Sequence, residues 1–167
     1  MASLKDAEGR LFASAMYIEH RAALKLGESL RVGIGCRRQV PTRPVISFGF
    51  AGALAGDLPV GTTVVASKVV DEKGSVLWEG QPLLVRDANV CVVLASDHFV
   101  GSPQERAQLC KRSGATVVDM ESGIYARLGL FAGSLRVISD TPSDRLYNFK
   151  GLWFGGIALK KLHSLSL

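Results

Sequence analysis

Two short stretches near the carboxyl end set the pattern of hydrophobic and polar positions in this chain. Ser134-Leu135-Arg136-Val137-Ile138-Ser139-Asp140 and Ala115-Thr116-Val117-Val118-Asp119-Met120-Glu121-Ser122 are apolar, β-branched runs that stop abruptly on polar residues. Buried parallel strands that deliver side chains to the carboxyl edge of a sheet read this way. Similar runs at Leu11–Met16, Arg31–Gly35, Val45–Phe50, Thr62–Val70, Ser75–Trp78 and Val90–Ala95 predict further strands. Helical spacing of Ile18, Ala22 and Leu26 predicts a helix that starts close to Glu19. Ser102, Pro103 and Gly114 bracket a helix over 103–112 with start and stop signals. Further helices are expected over 122–128 and 147–162.

Gly49-Phe50-Ala51-Gly52 reads as a small-residue loop where backbone could approach a ligand, or as a plain tight turn. Gly33-Ile34-Gly35 lacks the third glycine of a dinucleotide fingerprint, because Arg38 stands there, and no helical run follows it. Strands alternating with helices predict an α/β fold, a three-layer sandwich with a central mixed, largely parallel sheet flanked by helices, in one domain over 1–167. In such sheets ligands lie at the carboxyl ends of strands. The ends expected here carry Glu19, Ala51 with Gly52, Phe99, Glu121 and Asp140.

Composition narrows the class. With 167 residues, 47% hydrophobic and 21% charged, the chain can bury a sizeable core without metals or disulfides. No apolar run reaches the ~18 residues of a membrane span, and Leu11 to Ile18 is bounded by Arg10 and Glu19. Ala13-Ser14-Ala15 faintly imitates a signal-peptidase site, but Asp6 and Glu8 stand where a signal peptide is basic. The three cysteines, Cys36, Cys91 and Cys110, lack metal-ligand spacing, so no metal or cofactor is expected and a cytoplasmic location is. The net charge of +5 is spread thinly except at Arg37, Arg38 and Arg43, and no aromatic residues interleave with that cluster, so no nucleic-acid partner is expected.

Ala15-Met16-Tyr17-Ile18-Glu19, Gly33-Ile34-Gly35, Ser47-Phe48-Gly49-Phe50-Ala51-Gly52 with Val60-Gly61, Asp119-Met120-Glu121-Ser122 and Arg136-Val137-Ile138-Ser139-Asp140 occur in that order. Together they resemble the nucleoside phosphorylase and nucleosidase superfamily, most of all the 5'-methylthioadenosine/S-adenosylhomocysteine nucleosidases and the hopanoid-associated branch. The resemblance implies a small-molecule nucleoside substrate, a homodimer and hydrolysis of the N-glycosidic bond of a 5'-modified adenine nucleoside. Asp140 matches the aspartate that protonates the purine at N7, with a pKa raised by burial and Ser139 orienting it. Glu121 matches the residue that binds the ribose hydroxyls, and Met120 packs on the sugar. Phe99 falls where the base is stacked, Val100 where backbone reads the base edge, and Ala51 and Gly52 on the sugar side. Glu19 matches the glutamate that activates water in hydrolytic members.

Plainer readings exist for the same residues. Glu19 could serve the helix dipole, Met120 and Phe99 the core, Asp119 a structural role and Asp140 a turn. A phosphorylase would instead need a phosphate site, for which Gly33–Gly35 with Arg37, Arg38 or Arg43 is the candidate. A degenerate, non-catalytic nucleoside binder is the third reading. Only residues 36–46 separate Gly35 from Ser47, where the family has a whole helix, so that helix is expected to be missing.

Overall fold

The computed structural model describes residues 9–143 and 150–165, with backbone alone over 150–155. Eight strands form one mixed sheet: β1 (Leu11–Ser14), β2 (Ser29–Arg31), β3 (Val45–Ala53), β4 (Thr63–Val70), β5 (Val76–Glu79), β6 (Asn89–Ala95), β7 (Val117–Asp119) and β8 (Phe131–Asp140). Among the described residues four α-helices connect or follow them: α1 (Tyr17–Ala23), α2 (Pro103–Ser113), α3 (Ser122–Arg127) and α4 (Lys150–Ser164). The carboxyl-terminal helix expected over 147–162 begins, within the described residues, at Lys150.

The sheet closes on itself. β3 pairs with β7, β7 with β6, β6 with β4, β4 with β8, and β8 returns to β3, a ring of five strands. β1 and β2 extend it beyond β3, and β5 beyond β4. Two of the ring's ladders, β3–β7 and β4–β8, are antiparallel, so β3 and β8 run one way and β4, β6 and β7 the other.

Period-two burial explains the layers. On β3, Ile46 and Phe48 turn toward Ala22 and Ala23 of α1, Leu26 in the turn after it, and Ala158 and Leu162 of α4. Val45, Ala51 and Ala53 turn to the opposite face, with Tyr125 of α3. Phe12 meets Phe48 edge to face with centroids 5.8 Å apart. α2 covers a third cluster through Leu109, against Leu94, Val100 and Val118. Its start is capped by Ser102 Oγ, which accepts from the Glu105 N–H at 3.1 Å. It ends at Gly114, whose φ of 72° is left-handed.

The structure corrects several expected boundaries. Gly49–Gly52 is not a loop but the second half of β3: Gly49 to Gly52 pair with Arg136 to Asp140 of β8, and Gly52 and Ala53 also pair with β7. Val32 to Gly35 is not strand: β2 stops at Arg31 and a 3-10 turn, Ile34–Cys36, takes the place of the helix expected to be missing. β1 stops at Ser14, two residues short of its expected end.

Candidate functional site

The carboxyl ends of β1, β3, β7 and β8 and the loop after β6 surround a cavity of about 180 Å³. Every residue singled out above lines it: Glu19, Ala51, Gly52, Phe99, Val100, Met120, Glu121, Ser139 and Asp140. Ala15, Met16, Ile34, Phe50 and Arg106 join them. Parallel pairing of β3 with β8 places Gly52 opposite Asp140, which sets the two small residues beside the carboxylate.

Glu19 lies in the first turn of α1 but its carboxylate turns inward, 2% exposed. Oε2 accepts from the Met16 N–H at 2.7 Å and Oε1 from the Phe50 N–H at 2.8 Å. The Met16 N–H is the N-cap donor of α1, so Glu19 caps this helix as well as meeting β3 through Phe50. Desolvation pushes its pKa above the ordinary 4.5, against the opposing pull of Arg136 and the two N–H donors. Gly49 makes room for it: φ is 147°, and a Cβ there would stand 2.3 Å from Glu19 Oε1. Gly49→Ala is therefore expected to cost about 1–3 kcal/mol and to displace the carboxylate. Urea titration reads the first effect and a structure of the variant the second; native stability with Glu19 in place would contradict both.

Glu121 accepts from the Gly35 N–H at 2.9 Å and approaches Arg136 Nη2 at 3.3 Å. Its pKa is also raised, first by desolvation. Asp119 accepts from the Ser122 N–H at 3.0 Å and its hydroxyl at 2.5 Å, and pairs with Arg136 at 2.8 Å. Asp119 thus secures the start of α3 and meets the central arginine. Because the folded-state pKa values of Glu19 and Glu121 are raised, their contribution to stability is present in acid and is lost as pH rises through those values.

Asp140 differs from expectation. It is not an isolated buried acid; its side chain keeps 14% exposure and Oδ2 pairs with Arg106. Ser139 Oγ donates to Oδ1 at 2.7 Å, as the orienting reading requires. Arg106, 1% exposed, also donates from Nε to the Val100 carbonyl at 3.1 Å and from Nη1 to the Ala53 carbonyl at 2.8 Å. One guanidinium thereby ties the carboxylate to the Val100 loop and to the end of β3. Phe99 is 62% exposed, which excludes the core reading, whereas Val100 is buried.

Arg136 is the second residue that the motifs did not assign. It is 1% exposed on β8, and its Nη2 contacts Ser47 Oγ at 2.5 Å, Asp119 and Glu121. Nη1 donates to the Phe50 carbonyl at 3.1 Å. A cation inside an apolar strand was a readable signal, since a buried charge needs buried partners. The arginine cluster, in contrast, does not converge. Arg43 pairs with Glu28, Arg38 lines a hollow beside Tyr17 and His20, and Arg37 lines another beside Gly35.

Among the described residues, the ligand atoms of Glu72, Asp97 and His98 lie within 4.8 Å of one another. These groups are half-buried or exposed, and His98 is already held by Glu105 at 2.8 Å and Asp97 at 3.1 Å. Cys91 is no nucleophile, because burial pushes its thiol up to about 12.

The arrangement offers two separate chemistries in one cavity. A desolvated carboxylate with a raised pKa can take a proton from water, and a hydroxyl-oriented carboxyl group across the same cavity can manage a proton on a leaving group. Glu121 lines the same cavity and, with one donor on each oxygen, keeps lone pairs that hydroxyls could use.

No family model and no curated protein matches this sequence. Solved structures do match in fold. A 5'-methylthioadenosine/S-adenosylhomocysteine nucleosidase from Helicobacter pylori, solved in complex with a pyrrolopyrimidine compound, aligns with a TM-score of 0.68 at 18% identity, over 92% of each chain. Futalosine hydrolase from the same organism gives 0.67 at 17%, over 92% of this chain and 91% of its own. The Colwellia psychrerythraea nucleosidase in complex with adenine gives 0.66 at 18%, over 91% and 90%. The chain thus has the fold of these nucleosidases.

Proposed function

We propose that this protein is a nucleosidase that hydrolyses the N-glycosidic bond of a 5'-modified adenine nucleoside. The observation that carries the reading is that Glu19 from the first turn of α1, Glu121 from just after β7 and Asp140 from the end of β8 line one small cavity. The fold shared with methylthioadenosine and futalosine nucleosidases supports it.

In this mechanism the base lies against Phe99, with the Val100 backbone at its edge. Asp140, oriented by Ser139 and held by Arg106, manages the proton at the purine N7 as the C1'–N9 bond breaks. The ribose lies over Met120, with Ala51 and Gly52 at its side and its hydroxyls on Glu121. Glu19 removes a proton from the water that attacks C1'. Charge developing on sugar and base is thereby met by groups already in place.

The alternative nucleophile, phosphate, is less well served. A buried carboxylate occupies the catalytic end of the cavity, and Arg37, Arg38 and Arg43 point to different places. Met16, Ile34 and Phe99 expose apolar surface beside the cavity, which a second copy of the chain would cover in a homodimer. Three free cysteines suit a reducing, cytoplasmic setting, and no helix among the described residues is long and apolar enough to cross a membrane.

The deciding experiment incubates the protein with methylthioadenosine, S-adenosylhomocysteine and adenosine, with and without phosphate, and measures free base. Release without phosphate is expected; release only with phosphate would make it a phosphorylase, and no release would leave the non-catalytic binder. Hydrolysis should also depend on Glu19 in its ionised form. kcat/KM is therefore expected to rise with pH through a midpoint above the ordinary glutamate value of 4.5, and Glu19→Gln to lose hydrolysis by about 10²–10⁴-fold.

A further inference from the structure

The outer edge of the sheet, at β2, carries a hollow of about 390 Å³ that the proposed mechanism leaves unused. Tyr17 and His20 of α1, Ser29 and Arg31 of β2, and Arg38 and Gln39 of the following loop line it. It shares no lining residue with the cavity at Asp140. Tyr17 and His20, three residues apart, share one face of α1, and Glu19 turns inward from another.

No acid lines this hollow. Its charges are the guanidinium groups of Arg31 and Arg38, and neither forms an ion pair among the described residues. The acids closest to it in sequence are committed elsewhere: Glu28 pairs with Arg43, and Glu19 accepts from the Met16 and Phe50 N–H groups. His20 registers the surplus, since burial first and then Arg31 and Arg21 lower its pKa. His98, set among carboxylates, is shifted the other way.

The donors are held in place before any ligand arrives. The Arg31 guanidinium carbon stands 5.8 Å from the centre of the Tyr17 ring, and the Arg31 carbonyl accepts from Gln39 Nε2 at 2.7 Å. The Arg38 N–H donates to the Val32 carbonyl at 2.8 Å. Gly33, with φ of 79°, lets Arg38 pack on it, because a Cβ there would stand 3.0 Å from Arg38 Cβ. His20 Nδ1 bonds to Ser29 Oγ at 2.9 Å, which leaves Nε2 facing no protein partner among the described residues.

From this arrangement we infer that the hollow is an anion site for a phosphate group, held by Arg31 and Arg38 with Gln39 and His20 as further donors. Two guanidinium groups offer more N–H donors than the two oxygens of a carboxylate can use, whereas phosphate presents three or four. None of these four side chains enters the nucleosidase mechanism, so the site stands independently of it.

NMR of the His20 ring during titration with inorganic phosphate tests the assignment, with His98 and His163 as internal references. A bound anion favours the imidazolium, so the His20 titration midpoint is expected to move upward, with a Kd on the order of 1 mM. Arg31→Gln/Arg38→Gln should weaken binding about tenfold or more. Arg38→Gln alone, at an exposed position, should lose part of the affinity and keep the wild-type urea midpoint. Saturating adenine should leave the response intact. A response that adenine abolishes would put the phosphate in the cavity at Glu19 and overturn the inference. An unchanged response in both variants, or saturation only above ~0.1 M phosphate, where general screening acts, would do the same. Adenosine 5'-monophosphate, titrated with adenine present, separates two sources of the group. Equal affinity for ester and free ion makes inorganic phosphate the ligand, and tighter binding of the ester, lost in the double variant, makes it a nucleotide.

Discussion

Asp140→Asn is expected to lower kcat by about 10²–10⁴-fold while adenine still binds. An amide cannot take up and release a proton at the purine as a carboxyl group can, and its NH₂ group meets either Arg106 or Ser139 as a second donor. Because Arg106 also holds the Val100 and Ala53 carbonyls, its guanidinium stays in place and the base site keeps its outline. Stopped-flow or steady-state release of base measures the rate, and a binding titration with adenine measures the rest. An undiminished kcat would remove Asp140 from the reaction.

Arg136→Met should have the largest effect on stability, about 3–5 kcal/mol. Methionine fills similar space but leaves Asp119 and Glu121 without their cation and Ser47 and the Phe50 carbonyl without their donor. The deficit is expected to narrow as pH falls below neutral. Glu19 and Glu121 already have raised pKa values, and removal of Arg136, which opposes both shifts, raises them further. Protonation then removes the charge that the arginine had offset. Urea midpoints of both proteins at neutral and acid pH test this, and a pH-independent difference would contradict it.

Which parts of this arrangement were legible in the sequence follows from the physics of each residue. The ends of β7 and β8 were readable because a buried strand that stops two residues before Glu121, or on Asp140, delivers that carboxylate to the edge of the sheet. α2 was legible from Ser102, Pro103 and Gly114, whose roles are local. Gly49 and Gly52 misled, because glycines usually mark loops. Here they admit Glu19 and the Asp140–Arg106 pair against a continuing strand, a tertiary demand that no local pattern records. Arg106 was invisible for the opposite reason. It stands in a polar helix, Pro-Gln-Glu-Arg-Ala-Gln, which reads as a solvated face until the fold turns that one side chain inward. The three arginines near residue 40 were close in sequence and separate in space, so their apparent cluster was an accident of adjacency.

The closed ring has a consequence for how the chain is made. Its last strand, β8, lies between β3 and β4, and the Ser47–Arg136 bond spans 89 residues of sequence. Until β8 leaves the ribosome, β3 and β4 each present an unpaired apolar edge, and Asp119 and Glu121 lack their arginine. Such non-local pairing closes slowly and exposes the incomplete chain to association with its own copies. Synthesis therefore passes through an interval in which residues 1–130 exist while the ring stays open, and a chaperone that shields β-strand edges would act in that interval.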